Sequence, residues 1–324
     1  ERYHATFMIT VPTAVSALMQ RPVDADVSTL NFAISGSAPM PVELFRKFEG
    51  ATGVTILEGY GLTEATCLVA INPPFGERKI GSVGLPFACT DVHIFHCDAA
   101  GNIQKECATD EIGEICVSSP GVVVGEAYTD PEKNKGMYAG GQYLRTGDLG
   151  RVDADGYIWI TGRAKDLIIR GGHNIDPGTI EEALISHPDV AFAGAIGQPD
   201  RYSGELPCAY VELVAGASVD EEALLEYVTP LISEKSAIPK YLKIMPELPK
   251  TAVGKVFKPD LRRDAISRVF NQVLANANLD ATVSEVVEDK KLGLVAVIAV
   301  NNDAITNDIL TEVFADYHVP WRLA

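Results

Sequence analysis

The 324-residue chain has no closely spaced cysteine pair: Cys67, Cys89, Cys97, Cys107, Cys116 and Cys208 are dispersed without a CxxC. Neither a zinc site nor a small disulfide scaffold is indicated, and a reducing cytoplasm fits this usage. Positive charge is scarce as well. With 27 basic against 44 acidic residues the formal net charge is −17, which repels a polyanionic backbone and removes the sequence-independent attraction that nucleic-acid binding relies on. Long apolar runs are missing too: LGLVAVIAV, residues 292–300, falls far short of the ~20 residues a spanning helix needs. The opening ERYHATFMITVPTAV has neither the basic flank nor the cleavage signal of a secretory peptide. It begins in mid-pattern and without methionine, so the chain is expected to be a piece of a longer protein. A P-loop is also absent. Around the Gly-Lys pair of LPKTAVGKVFK, residues 248–258, Val256 stands where a metal-binding hydroxyl belongs and Pro249 where the first glycine belongs.

What is present is a change of texture along the chain. MPVELFRKFEGATG predicts a helix with Pro41 near its first turn, Val42, Phe45 and Phe48 on one face, and Gly50 and Gly53 after its end. The following VTIL predicts a buried strand. From about residue 80 to 162, short glycine-punctuated runs such as VHIF, EIGEICVSS and GYIWITG predict a β-rich subdomain. After GRAKD the pattern alternates between strands and helices. Asp176 is an N-cap with Pro177 at the first helical position, AFAGAIG and CAYVELV are strands, and DEEALLEYVTPLI is a helix. The expected domains are therefore 1–164, 165–268 and 269–324. The last is a small α+β extension in which a helix from about residue 268 leads into ATVSEVVED, GLVAVIAV and a helical NDAITNDILTEVFADY. Two acid or imidazole clusters carry no metal expectation. His93 and His96 of HIFHC point to opposite faces of a strand, and Asp153 and Asp155 of VDADG lack the remaining calcium-loop spacing and predict a turn.

Four stretches in a fixed order carry the chemistry: ISGSAPMP (34–41), EGYGLTEAT (58–66), YLRTGDLG with GRAKDLIIRGGHNI (143–175), and LPKTAVGKVFK. In the second, glycines allow close approach to a ligand, Tyr60 offers a flat face for a base, and Thr63 and Glu64 offer hard oxygens suited to magnesium on a triphosphate. Asp148 can accept from two ribose hydroxyls, and Arg163 adds a permanent cationic fork. Taken singly, each has an ordinary reading as a turn, a cap or a surface ion pair.

The ordered set resembles the adenylate-forming superfamily of acyl-CoA synthetases, peptide-synthetase adenylation domains and luciferases, over nearly all of residues 1–268. The resemblance implies an α/β fold, with part of a large domain of sheets and a β-barrel-like subdomain followed by a small α+β lid. It implies a two-step reaction in which a carboxylate attacks the α-phosphate of ATP and a thiol then displaces AMP. Gly36, Ser37, Ala38 and Pro39 would line the adenine and acyl pocket. Glu58, Gly59, Tyr60, Gly61, Leu62, Thr63, Asp148, Ile160 and Arg163 would bind nucleotide, and Glu64 would sit at the metal. Lys165 would be the hinge, and Gly171, Gly172 and His173 the CoA-binding loop. His173 stands where other members often carry glutamate, and no general-base role is assigned to it; Tyr143 replaces a frequent tryptophan. Lys255 would be the adenylation lysine, a mobile ammonium against charge developing on phosphorus.

The implied co-substrates are ATP, CoA and a carboxylic acid, with Mg2+. The runs from LPFACTDVHIF and GGQYLRTGDLG look most like fatty acid-CoA ligases. The family's upstream Ser/Thr/Gly-rich loop ending in Pro-Lys-Gly does not occur, so this segment by itself is expected to adenylate poorly. Two alternatives stand beside the ligase. An adenylation domain loading a carrier would need a Ser-bearing phosphopantetheine motif, which residues 269–324 do not show. A catalytically silent nucleotide-binding subunit would have no chemical need of Glu64 and Lys255.

Overall fold

The computed structural model describes residues 3–123, 125, 127–251, 254–289, 292–302 and 304–324. The chain divides between Lys165 and Asp166 into two units. Among the described residues no helix is long and apolar enough to cross a membrane.

In the first unit a five-stranded sheet begins with the parallel strands Phe7–Thr10, Phe32–Ser35 and Thr55–Leu62 and continues antiparallel through Cys67–Ile71 and Leu85–Pro86. Helices Pro12–Met19 and Val42–Thr52 cover it, burying Val15, Phe45 and Phe48 against Ala33 and Ile56. The second helix runs through Gly50, which the sequence pattern placed beyond its end. It stops at Gly53, whose left-handed backbone (φ 67°) lets its N–H bond Glu49 O. The predicted strand VTIL does not end at Leu57 but carries EGYGL with it. The second sheet is antiparallel, ordered Ile158–Arg163, Tyr143–Val152, Gly113–Ser118, Asp91–Cys97, Ile103–Glu106, with Tyr138–Ala139 beside Tyr143–Val152. Val69, Ala70, Ile94, Ile115, Val117, Leu144 and Ile158 form the core between these elements. The VDADG segment is a turn: Asp153 Oδ1 accepts the N–H groups of Asp155 and Tyr157, and its Oδ2 accepts Lys79 Nζ at 2.8 Å.

The second unit is built on strands Val190–Asp200 and Gly204–Leu213; the first is an edge strand, and the other edge of the second pairs with Ile168–Arg170 at Gly204, followed by His173–Ile175, and with Tyr241–Met245 along residues 208–212. Gly204–Leu213 is buried on both faces because alternate side chains feed different cores. Ala209 and Val211 pack under helices Pro177–Ile185 and Glu221–Val228, while Cys208 and Tyr210 pack with Leu261 and Ala265. Asp176 caps the first of these helices as expected, its Oδ1 accepting Gly178 N–H at 2.9 Å, with Pro177 next.

Burial pushes the Asp176 carboxyl up to about 6, with Glu181 adding to the rise. The folded state therefore holds this proton more tightly than the unfolded chain. Its contribution to stability is full below the ordinary value of 3.8 and is lost as pH rises towards about 6. Asp176→Asn keeps an equally good cap and should flatten that part of the stability–pH curve, raising urea midpoints at pH 7 relative to pH 4; an unchanged slope would contradict the assignment.

The helix expected from about residue 268 spans Lys258–Asn276 without a break, so the expected boundary between 268 and 269 falls inside a helix. Leu261 and Ala265 belong to the core under Tyr210. Ile266, Phe270 and Leu274 belong to a second core beneath the sheet Ala281–Asp289, Gly293–Val300, Trp321–Leu323. One helix thus serves both cores, and period alone cannot reveal which residues face which. The C-terminal helix is shorter than predicted, Asn307–Phe314.

Candidate active site

In the first unit three of the anticipated residues converge. Strand pairing places Asp148 directly opposite Arg163, and Arg163 Nε lies 2.8 Å from Asp148 Oδ1. Tyr60 donates its hydroxyl hydrogen to Asp148 Oδ2 at 2.5 Å. Burial first, and the Asp148 carboxylate second, push the Tyr60 phenol far up, so it stays a donor. The Asp148 side chain is 13% exposed and that of Arg163 50%, a partly screened pair that contributes at most about 1 kcal/mol to stability. Asp148 reaches this place from an irregularity in its strand. Pairing with Gly113–Ser118 shifts between Arg145 and Leu149. There Arg145 binds Glu114 at 2.8 Å, and Thr146 Oγ1 donates to Ile115 O and accepts the Asp148 N–H. The chain neighbours of Asp148 are uncharged, as the sequence shows, but its neighbour across the sheet is a guanidinium.

The other first-unit residues frame this cluster. Gly36–Pro39 form the turn after Phe32–Ser35, with Ser37 at φ 71°. Glu58, 4% exposed, accepts the Met40 N–H just beyond that turn at 3.1 Å. Gly59, Tyr60, Gly61 and Leu62 lie in the strand Thr55–Leu62, with a bulge between Tyr60 and Gly61. A side chain at Gly61 is excluded, since its Cβ would lie 1.7 Å from Cys67 O. Tyr60, Leu62 and Ile160 pack on the same core. Thr63 and Glu64 form the short turn Thr63–Ala65, where Tyr128 donates its hydroxyl hydrogen to Glu64 Oε1. Tyr128 carries no local signal, 64 residues away in sequence. Lys165 closes the first unit.

In the second unit Gly171 and Gly172, at φ 55° and 86°, make the two-residue turn between Ile168–Arg170 and His173–Ile175. Two successive left-handed residues suit the twist of a tight hairpin. His173 is exposed. Ala252 and Val253 lie outside the described residues, but the limbs of the PKTAVGK loop are defined. Thr251 N–H bonds Lys255 O at 2.7 Å, Lys255 N–H bonds Thr251 Oγ1 at 3.1 Å, and Phe257 N–H bonds Pro249 O at 2.7 Å. Lys250 anchors the base, its Nζ 2.5 Å from Glu212 and 4.3 Å from the Phe192 ring centre. Lys255 itself is exposed.

Two other ligand clusters appear among the described residues: His96–Cys107–Glu111 and Cys97–Glu114–Cys116. Each already holds a cation, Lys105 Nζ at 2.6 Å from Glu111 and Arg145 at 2.8 Å from Glu114. His93 turns instead to Glu106 at 2.7 Å, so the two histidines of HIFHC do not share a site.

Residues 1–125 match the AMP-binding enzyme family, and residues 179–255 its C-terminal domain. The chain belongs to the AMP-binding, adenylate-forming enzymes. Similar AMP-binding proteins include a marinolic acid–CoA ligase of Pseudoalteromonas sp., 42% identical over 90% of this chain and 45% of its own length. The long-chain-fatty-acid–CoA ligase of Bacillus subtilis is 37% identical over 80% of this chain and 45% of its own. The chain spans about half the length of these relatives. Among solved structures, ATP-bound MatB of Rhodopseudomonas palustris superposes with a TM-score of 0.73 at 34% identity, covering 80% of this chain and 50% of that one. The two units accordingly carry the sheets of the family's large domain and its small α+β domain.

Proposed function

We propose that the full-length protein is an ATP-dependent carboxylate–CoA ligase that activates a hydrophobic acid of the fatty type as an acyl-adenylate and transfers it to CoA. The observation that carries this reading is the convergence of Tyr60 and Arg163 on Asp148, next to a strand and turn that bear Thr63 and Glu64. An ionised carboxylate has about four lone-pair positions, and two donors orient it without exhausting them. It can therefore accept both hydroxyls of a ribose while Arg163 adds charge toward the phosphates. The face of Tyr60 serves the adenine, and Gly36–Pro39 and Ile160 complete the pocket. Glu64, held by Tyr128 and belonging to no cluster of three metal-capable groups among the described residues, fits a magnesium ion that takes most of its oxygens from the triphosphate and water. When bound, that ion would neutralise phosphate charge. Lys255 supplies the ammonium for the first half-reaction, Lys165 acts as the hinge, and the Gly171–His173 turn serves the thiol step.

The fatty preference draws on the long-chain relative. The test is to incubate the full-length protein with ATP, magnesium, CoA and a panel of carboxylic acids and to detect AMP and thioesters by mass spectrometry. An acyl-CoA supports the reading and its best acid names the class. Acyl-adenylate with no CoA ester would move the acceptor to a carrier protein, and silence across the panel would favour a non-catalytic subunit. Asp148→Ala removes charge-assisted bonds of about 1.5–3 kcal/mol and should raise the KM for ATP by roughly 10- to 100-fold. Tyr60→Phe leaves the Arg163 contact and should cost only a few-fold; equal effects would mean that Asp148 acts on the fold and not on the nucleotide.

A further inference from the structure

In the β-rich part of the first unit, three side chains of different chemistry meet where strands Asp91–Cys97, Ile103–Glu106 and Gly113–Ser118 are joined. His96 lies near the end of the first strand, Cys107 directly follows the second, and Glu111 sits in the turn before the third. One ligand atom from each, a ring nitrogen, the sulfur and a carboxylate oxygen, all lie within 4.8 Å of one another. His96 Nε2 is 3.5 Å from Glu111 Oε1. Donors around a tetrahedral zinc, each about 2.0–2.3 Å from the ion, are separated by roughly 3.3–3.8 Å, so a small movement closes the set.

Backbone contacts hold two of these donors in place. Cys107 N–H bonds Ile94 O at 2.8 Å, and the Cys107 side chain packs on the core that contains Ile94 and Ile115. Gly113 leaves room for the sulfur, since a Cβ there would lie 2.7 Å from Cys107 Sγ. The Glu111 carboxylate is aimed by the Ala108 N–H, which donates to its Oε2 at 3.0 Å, while Glu111 N–H bonds Ala108 O at 3.0 Å. That turn is anchored through Asp110, whose N–H bonds Val152 O at 2.9 Å and whose carboxylate pairs with Arg151. Supporting bonds of this kind orient the ligands of metal sites.

The cation on Glu111 is the Lys105 ammonium, 2.6 Å and 2.8 Å from its two oxygens. Lys105 stands opposite His96 in the strand register and its side chain is 57% exposed, so it can swing into solvent, and an exposed pair holds weakly. The neighbouring set of Cys97, Glu114 and Cys116 differs. There Arg145 binds Glu114 through Nε and Nη2 and the carbonyls of Asp98 and Gly136 through Nη1, which locks the guanidinium. We propose that His96, Cys107 and Glu111 form a binding site for a borderline-soft divalent cation of the zinc class, with water in the fourth position and Lys105 as the competitor for Glu111. The thiol proton passes to solvent on binding. One thiolate, one imidazole and one carboxylate suit zinc or cobalt(II), whereas calcium and magnesium take oxygen ligands. The site uses none of the residues of the nucleotide cluster and does not depend on the ligase reading.

Cobalt(II) titration of the full-length protein, freed of metal and of any affinity tag, tests the site. One equivalent should bind with a thiolate-to-cobalt absorption in the near ultraviolet; zinc should displace it and excess magnesium should not. Cys107→Ser should abolish that absorption, and Cys97→Ser should leave it. His96→Ala, at an exposed position, should weaken zinc by about 10- to 100-fold, the scale seen even for residues that only orient a ligand. Lys105→Ala should instead tighten zinc by about 1.5- to 5-fold, the worth of an exposed ion pair. Absorption that persists in Cys107→Ser and disappears in Cys97→Ser would place the ion at the other cluster and overturn the proposal. Cobalt binding without a thiolate absorption, or no binding at all, would overturn it equally, and unchanged zinc affinity in Lys105→Ala would overturn the competition.

Discussion

Replacing Lys255 with alanine in the full-length protein is expected to lower acyl-adenylate formation by about 100- to 1,000-fold, the usual cost of removing one donor aimed at developing negative charge. In the proposed reaction a carboxylate nucleophile would approach an already anionic phosphate, so the barrier would be electrostatic and an ammonium would act on it directly. The loss should appear in kcat, with little change in the KM for ATP, because the interaction strengthens only in the transition state. Lys255 is exposed and its loop is held by Thr251, Pro249 and the Lys250–Glu212 pair, none of which needs the Lys255 side chain. At an exposed position the change in stability should stay within the range of ordinary surface substitutions. Pyrophosphate exchange reads the first step, and conversion of a supplied acyl-adenylate to thioester reads the second, which should survive. Wild-type exchange in the variant would remove Lys255 from the mechanism, and equal loss in both steps would point to a structural role.

Phe270→Ala should be the most damaging single change to stability outside the nucleotide site. Phe270 is fully buried, stacks on Phe314 with ring centres 4.4 Å apart and meets Tyr317 edge-on at 5.5 Å. Emptying such a site costs about 3–5 kcal/mol through lost transfer energy and an unfilled cavity. Because the helix Lys258–Asn276 also contributes Leu261 and Ala265 to the core under Tyr210, the damage should spread from the C-terminal sheet into that core. Urea denaturation would report the total. Hydrogen exchange would report the order, with Gly293–Val300 losing protection before Gly204–Leu213. A loss under about 1 kcal/mol, the level of ordinary surface changes, would show that the C-terminal segment is only loosely joined to the rest.

Much of this molecule is legible without coordinates, and the legible part has a common character. The ordered motifs name the family, the strand–helix alternation marks the second unit, and Asp176–Pro177 announces a helix start because capping chemistry is complete within three residues. The errors are also local in origin. Gly50 reads as a terminator although burial of Phe45 and Phe48 carries the helix past it to Gly53. Residue 268 reads as a boundary although a single helix is apolar first toward one core and then toward another.

Residue types, their order and short-range capping are determined by the sequence itself, since those signals act over one or two turns of chain. Which partners they meet is decided only by tertiary structure. Tyr60 and Asp148 are 88 residues apart and meet because a strand irregularity at Thr146 and Gly147 turns the carboxylate toward them. Asp148 faces Arg163 through sheet register, and a shift of one residue would send every side chain to the opposite face. Arg201 pairs with Asp316 and the His318 ring approaches Gly204 although more than 110 residues separate each pair, so these contacts exist only in the folded chain. Register and docking are settled by packing summed over whole surfaces, and no short stretch of sequence holds that sum.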